Sequence, residues 1–297
     1  MVSVITVNYN GLADTCEMIE SFRRYETYPY EIIVVDNGSR NPEGEIIRQR
    51  YPHVKVVAGS NRGFAGGNNA ALPLAAGDYL FFLNNDTLLH APVLEALVHR
   101  LQEHPQIGGV SPMIKYQAQP DTLQYAGFTP LTRITLRCKS IGYAQQDAPC
   151  FRQARPTASL HGAAMMVPRH VLQQAGPMTE VYFLFYEEHD WSEQLRRAGY
   201  QLWYEPAAVV YHKEGMSAPL GTPFREFYLS RARLLFARRN RQGLTRMLSC
   251  LYTTCIACPK KVLVYLTQGN LSLAWAVMRG TWQGMMMPCR QSTKKAI

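Results

Sequence analysis

The stretch Tyr79-Leu80-Phe81-Phe82-Leu83-Asn84-Asn85-Asp86-Thr87 runs five apolar residues straight into a polar cluster. An apolar run of that length without alternation reads as a strand buried on both faces, the habit of parallel sheets. Towards the N-terminus, Val2–Val7, Glu31–Val35 and Val54–Ala58 read the same way, and Gly109–Met113 continues the pattern beyond it. Helical signals fall between these strands: Leu12, Cys16, Ile19 and Phe22, a segment from Pro42 to about Tyr51, a small-residue helix near Asn68–Ala76, and Pro92–His104. Strands alternating with helices predict an α/β fold whose mostly parallel sheet is flanked by helices.

In such a sheet the residues just past the carboxyl ends of the strands line the ligand crevice. That rule selects Asn8, Asp36 to Ser39, the loop Gly59 to Asn69, and Asn84 to Asp86. A carboxylate at Asp86 suits a hard divalent cation, but Asn and Asp also end strands in ordinary turns. The loop Asn61-Arg62-Gly63-Phe64-Ala65-Gly66-Gly67-Asn68-Asn69 permits close backbone approach and leads into a helix N-terminus, as an anion site or as a plain tight turn. Further on, 117–157 is an irregular excursion with room for a hairpin, and order returns at Ser159–Val167. A helix follows from Glu187 to Gly199, then short strand signals at Tyr200–Tyr204 and Val209–Tyr211. Glu187, Glu188 and Asp190 crowd the start of that helix beside Phe183, Phe185 and Tyr186. Acids there complement the helix dipole; crowded carboxylates among aromatics also have raised pKa values, which suits a general base. His212 ends a strand, a position more often structural than functional for a lone histidine.

Taken in order, Ile5-Thr6-Val7-Asn8-Tyr9-Asn10, Val34-Val35-Asp36-Asn37-Gly38-Ser39, the 61–69 loop, Leu83-Asn84-Asn85-Asp86-Thr87, Phe185-Tyr186-Glu187-Glu188-His189-Asp190-Trp191 and Val210-Tyr211-His212 resemble the family 2 glycosyltransferases of GT-A fold. The likeness is strongest to the rhamnosyltransferase-like branch that builds bacterial cell-surface polysaccharides such as lipopolysaccharide, and it extends through Tyr228–Asn240. The resemblance implies an inverting transfer from a nucleotide-sugar donor to a glycan or lipid-linked oligosaccharide, assisted by Mg²⁺ or Mn²⁺. By the same resemblance Val7, Asn8, Asn10, Asp36, Gly38, Asn61, Gly66, Asn68, Asn69, Asn84 and Asn85 are nucleotide-sugar-binding candidates. Asp86 matches the last acid of the family's metal motif, with Asn84 in place of its first, and His212 matches the second metal ligand. Glu188 falls at the position of the base on the acceptor hydroxyl, with Glu187 and Asp190 as its neighbours in the motif. Residues 1–240 are then expected to form the transferase domain, its nucleotide-binding part about 1–115 and its acceptor part about 116–240. A nucleotidyltransferase would need a Gly-rich basic signature at the N-terminus, a nicotinamide enzyme a Gly-rich turn after the first strand, and Val2–Gly11 offers neither. A catalytically silent binding protein would have no use for Asp86, Glu188 and His212 together.

The remaining 241–297 form a basic, apolar, helical tail. From Phe227 to the end there are 12 Lys and Arg and no acid, more than the whole net charge of +9. One-signed charge over so long a segment points to an anionic partner, and the apolar content favours a membrane surface over nucleic acid. Leu244–Cys258 is mostly apolar, Pro259 is expected to interrupt it, and no run reaches the ~20 apolar residues that a bilayer span needs. The seven cysteines lack a disulfide or zinc spacing, and Cys250, Cys255 and Cys258 read as core or membrane-facing. The N-terminus enters a strand without a basic leader, so a cytoplasmic location, peripheral on the inner face of the cell membrane, is the expectation.

Overall fold

A computed structural model describes residues 1–213 and 219–289. Strands β1 (Val2–Asn8), β2 (Tyr30–Asp36), β3 (Lys55–Ala58) and β4 (Tyr79–Leu83) pair in parallel in the order β3-β2-β1-β4. Helices α1 (Leu12–Tyr25), α2 (Glu43–Arg50) and α3 (Gly63–Ala70) make the crossovers. Successive side chains of β4 point to opposite faces, so Phe81 joins Val4, Phe22 and Val34 on one side, and Phe82 joins Ile5, Val35 and Trp191 on the other. Burial on both faces is why these strands carry no polar alternation.

The helix expected near Asn68 begins earlier, at Gly63, because the glycines of the loop are themselves its first turns. Beyond β4 the sheet is mixed. After β5 (Thr87–Leu88) and α4 (Leu94–Glu103) come β6 (Ile107–Tyr116), β7 (Gln119–Tyr125), β8 (Gln145–Gln146), β9 (Arg155–Pro156) and β10 (Ala164–Pro168). β6 and β7 form the hairpin of the excursion, and β10 lies antiparallel between β4 and β6. Helices α5 (Arg169–Ala175) and α6 (Glu187–Arg197) precede β11 (Gln201–His212). The two short signals expected around Pro206 are this one strand, with a register shift between Glu205 and Val209, where proline cannot donate to the ladder. β11 pairs in parallel with β6, and its end pairs antiparallel with β5, setting His212 opposite Thr87.

Four helices complete the described chain: α7 (Pro223–Asn240), α8 (Gly243–Leu251), α9 (Cys258–Thr267) and α10 (Leu271–Met286). The expected break at Pro259 does not occur. A π-helical turn, Tyr252–Ala257, joins α8 to α9, so Gly243–Thr267 is one helix of 25 residues, long and apolar enough by length and composition to cross a membrane. The wider turn makes room for the proline ring against the preceding turn. The Thr253 and Thr254 hydroxyls donate to the Ser249 and Cys250 carbonyls, at 2.8 and 2.9 Å, keeping those oxygens satisfied. Only 11% of its most apolar stretch is buried.

Two turns of this helix nevertheless lie on the body of the fold. The Ser249 hydroxyl donates to the Ile134 carbonyl at 2.8 Å, and Lys261 on α9 pairs with Glu226 on α7. A turn at 268–270 then returns α10 along α7. Gly280 and Gly284 set this packing: a Cβ at either would lie 2.2 Å from the Phe227 carbonyl or 2.6 Å from that of Arg231. The last residues of the tail, 290–297 with Arg290, Lys294 and Lys295, fall outside the described residues.

Candidate active site

The polar ends of β1, β2 and β4 meet the segment before α6 around a cleft of about 280 Å³, lined by Val7, Tyr9, Asn37, Asn61, Gly63, Phe64, Asn84, Asn85, Asp86, Phe183, Leu184 and Phe224. Its floor is a set of buried hydrogen bonds. Asn8 is spent inside it: Nδ2 donates to Glu43 at 2.8 Å and to Ser39 at 3.2 Å, and Oδ1 accepts from Thr15 at 2.7 Å. Asp36 accepts the Ser39 and Gly44 amides, one on each oxygen, and so caps the start of α2. Asn10, at φ 52°, accepts the Arg40 amide, and Gly38, at φ 83°, turns against the backbone of Asn61. Of these four, none lines the cleft: they shape the two turns, and Val7, Asn37 and Asn61 present their side chains instead.

Asn37, selected in the sequence only as part of the strand-end run Asp36 to Ser39, is the residue of that run that lines the cleft. Its Oδ1 accepts the Arg62 amide at 3.0 Å, and its Nδ2 donates to Asn61 and to the Gly63 carbonyl. It thereby ties the β2 turn to the start of α3. Gly63 has φ 72°, and a Cβ there would stand 2.2 Å from the Phe183 carbonyl, which accepts the Phe64 amide at 2.9 Å. Only glycine allows that approach. Later residues of α3 face away from the cleft, because the helix has already turned. Gly66 lies under the Arg62–Glu180 ion pair, Asn68 bonds within the helix to the Phe64 carbonyl, and Asn69 donates to Met178 and Glu180. These three anchor the segment that leads to α6.

That segment is strained. Phe183, Phe185 and Tyr186 all have φ between 70° and 73°, a region bulky side chains rarely adopt. Phe183 stacks on Tyr228 at 4.9 Å, and Tyr186 donates to the Leu136 carbonyl at 3.1 Å. The strain presents the Phe183 carbonyl to α3 and starts α6 at Glu187.

The three acids of α6 then separate. Asp190 is fully buried and accepts from Tyr182 at 2.6 Å, Arg239 at 2.9 Å and Asn240, joining α6 to α7. Glu187 is buried with one oxygen lacking a partner among the described residues; burial, then the Glu188 charge, push its pKa well above the usual carboxylate value. Glu188 keeps access to solvent. The Cβ position of Gly162 lies 3.8 Å from the Glu188 Cβ and 3.9 Å from the Phe64 ring, so Gly162 sits between the Glu188 stem and a wall of the cleft.

Asp86 and His212, 126 positions apart, are joined by the β5–β11 pairing, with His212 Nε2 at 3.1 Å from Asp86 Oδ1. His212 Nδ1 lies 2.8 Å from Gln124 Oε1, an acceptor, so the ring donates there. Nε2 faces the carboxylate at hydrogen-bond distance, and a cation between the two would take the place of its proton, with Gln124 fixing the ring as the outer partner of a metal-ligating histidine does. Burial opposes the Asp86 charge, but the His212 ring and Lys213 outweigh it and hold its pKa below the usual carboxylate value. Asn84 Nδ2 lies 3.4 Å from the same His212 nitrogen, while Asn85 donates to Thr15 at 3.0 Å and steadies the loop. The donor set, one carboxylate and one imidazole beside a cleft, fits a divalent ion that completes its coordination with a phosphate ligand.

Comparison with known proteins gives the same family. The family model described as glycosyl transferase family 2 matches residues 3–163. The N-acetylglucosaminyl-diphospho-decaprenol L-rhamnosyltransferase of Mycobacterium tuberculosis is 25% identical over 240 residues, covering 73% of this chain and 77% of that protein. Among solved structures, GalNAc-T7 with UDP, GalNAc and Mn²⁺ aligns with TM-score 0.62 at 16% identity, over 85% of this chain and 53% of that one. The mannosyltransferase PcManGT of Pyrobaculum calidifontis with GDP-Man and Mn²⁺ aligns with TM-score 0.57 at 15% identity, over 96% and 87%.

Proposed function

The chain is a member of glycosyl transferase family 2 and a nucleotide-sugar-dependent glycosyltransferase, and from that premise we propose that it moves a hexose, L-rhamnose by preference, onto a hydroxyl of a lipid-linked glycan with inversion at the anomeric carbon. The observation that carries this reading is the placement of two complementary groups around one cleft: the Asp86–His212 pair at its floor and the accessible Glu188 beyond Phe64.

The nucleoside would lie against Val7, Tyr9, Asn37 and Asn61, with its diphosphate reaching Asp86. Asp86 and His212 would hold Mg²⁺ or Mn²⁺, which supplies neutralising charge for the departing diphosphate. Glu188 takes the proton from the acceptor hydroxyl, whose oxygen bonds to the anomeric carbon as the bond to the diphosphate breaks. One displacement without an enzyme-bound sugar inverts the configuration. Rhamnose and a lipid diphosphate acceptor are favoured by the name of the mycobacterial relative.

The same reading places the protein on the inner face of the cell membrane, lying in the headgroup region rather than spanning. Ser249 and Lys261 hold separate turns of the 25-residue helix on one body, and α10 returns to that body. A helix fixed in this way lies along a bilayer surface with its exposed Leu, Ile and Met side chains inward and its Lys and Arg at the headgroups.

The test is a thermal-shift screen of dTDP-, UDP- and GDP-sugars with and without Mn²⁺. A donor at a hundredfold over its dissociation constant stabilises by ~2.7 kcal/mol. Asp86→Ala is expected to lose the Mn²⁺-dependent shift and all transfer while melting normally without ligand. If no sugar nucleotide shifts the wild type, the reading fails; full activity of Asp86→Ala in a chelator would remove the metal from it.

A further inference from the structure

The seam between α7 and α10 closes where Gly280 and Gly284 meet the α7 backbone, and it opens to either side of that contact. On one side Phe224, Phe227 and Tyr228 face Trp275, Ala276 and Arg279 across a groove of about 360 Å³ whose walls are carbon. Phe224 is also a wall of the active-site cleft. Phe227 and Arg279 are also walls of a further hollow of about 330 Å³, which continues along α10 to Met286. The cleft, the groove and the hollow therefore follow one another with shared walls. From Ser272 to Met286 the α10 side of this track extends about 21 Å, at 1.5 Å per residue.

The walls are fixed in place. Tyr228 packs on Phe224 at 4.7 Å, on Phe227 at 5.0 Å and on Phe183 at 4.9 Å, and the Arg231 guanidinium lies 4.4 Å over its ring. Neither groove nor hollow has an acid in its wall. Cations flank the track: Arg225 sits over Phe185 at 5.0 Å near the cleft end, and Arg279 sits over Phe227 at 5.7 Å midway. A succession of apolar hollows that begins beside a reactive cleft and ends at an exposed apolar surface fits a long hydrocarbon with a charged, reactive end. Positive charge at its cleft end suits a phosphate head.

We propose that the α7–α10 seam is a binding site for the hydrocarbon chain of the acceptor, a single-chain lipid phosphate or diphosphate whose sugar enters the cleft past Phe224. This rests on the glycosyltransferase reading above. It differs from docking on a membrane surface in that one lipid binds per protein, with no bilayer present.

Farnesyl diphosphate is the probe, used with the full chain below its micelle concentration; inorganic diphosphate and farnesol are the separate arms, and calorimetry reads the affinity. The expected result is one farnesyl diphosphate per chain, bound more tightly than inorganic diphosphate. Ser272→Trp, at an exposed position on the groove wall, is expected to weaken it by about tenfold or more by overfilling the groove. Arg279→Glu, which puts a carboxylate in the wall beside the hydrocarbon, is expected to weaken farnesyl diphosphate and farnesol alike. Sugar-nucleotide binding is measured in the same preparations. If it is retained while farnesyl diphosphate binds no better than diphosphate, or is indifferent to Ser272→Trp, the track is wrong and the enzyme reading stands. Loss of sugar-nucleotide binding in the wild type would sink the enzyme reading itself. If Ser272→Trp dissociates a dimer seen by light scattering and lipid binding is unchanged, the seam is a self-interface and the proposal is overturned.

Discussion

Phe81 and Leu263 are both large and apolar, and the fold treats them in opposite ways. Phe81 is in the middle of β4 with no exposed surface, while Leu263, in the middle of the 25-residue helix, is 62% exposed. The same contrast holds between regions: the strands around Asp86 are buried on both faces, whereas the helices after Gly243 carry leucines, methionines and two tryptophans outward. Apolar side chains kept out of a core that has room for so many others belong to a surface with a partner of its own. The charge agrees, since the first region mixes signs and the second has none but positive. One region builds the reaction centre, and the other decides where that centre stands.

That contrast breaks most readily in a stability measurement. Phe81→Ala is expected to cost about 3–5 kcal/mol by cavity formation, and Leu263→Ala less than about 0.5 kcal/mol in detergent-free solution. Denaturant midpoints at constant slope read both. If the two substitutions cost the same, the C-terminal helices are core of an assembly and the regional difference disappears.

Asp190 and Glu188 sharpen the comparison at the place where the regions meet. Asp190→Asn leaves Arg239 without its buried partner and is expected to cost about 3 kcal/mol of stability. Glu188→Gln keeps size and hydrogen-bonding capacity but cannot take a proton. It is expected to lower transfer by ~10²-fold or more with unchanged melting and donor affinity. The reverse pattern, a stable Asp190→Asn with no transfer, would move the base by half a helical turn.

Much of this was legible beforehand, for reasons that differ by residue. The parallel half of the sheet was readable because burial on both faces leaves an unmistakable apolar run, as in Tyr79–Leu83. Asp86 and His212 were readable singly as strand ends, yet their contact depends on β5, two residues long, which has no sequence pattern of its own. Glu187, Glu188 and Asp190 point apart on any helix, but which of them stays accessible was not readable, because it depends on contacts such as those of Asp190 with Arg239 and Asn240, far along the chain. Asn68 and Asn69 were named for the nucleotide by the strand-end rule and the family resemblance; with α3 starting at Gly63 they bond instead within the helix and to Met178 and Glu180. Pro259 looked like a helix break, and the widened turn before it shows how two threonines accommodate it.

The smallest expected effect addresses the C-terminal region directly. Lys260 and Lys261 lie where α9 begins, within the apolar helix that is expected to rest on the headgroups. Each basic residue near an anionic surface contributes about 1 kcal/mol. Lys261 is paired with Glu226, so its charge is already partly satisfied, whereas Lys260 forms no ion pair among the described residues. Lys260→Ala is therefore expected to weaken binding to phosphatidylserine-containing vesicles by about fivefold, the ratio that 1 kcal/mol gives at room temperature. Lys261→Ala is expected to weaken it less and also to loosen α9 from α7. Raising the salt should diminish the Lys260 effect, since an exposed charge is screened over about 8 Å at physiological ionic strength. Truncation after Gln242 should abolish vesicle flotation and leave sugar-nucleotide binding in place. If the intact protein does not float with anionic vesicles at low salt, the exposed apolar helices meet some other partner. The contrast between the two regions would then be one of assembly rather than of membrane.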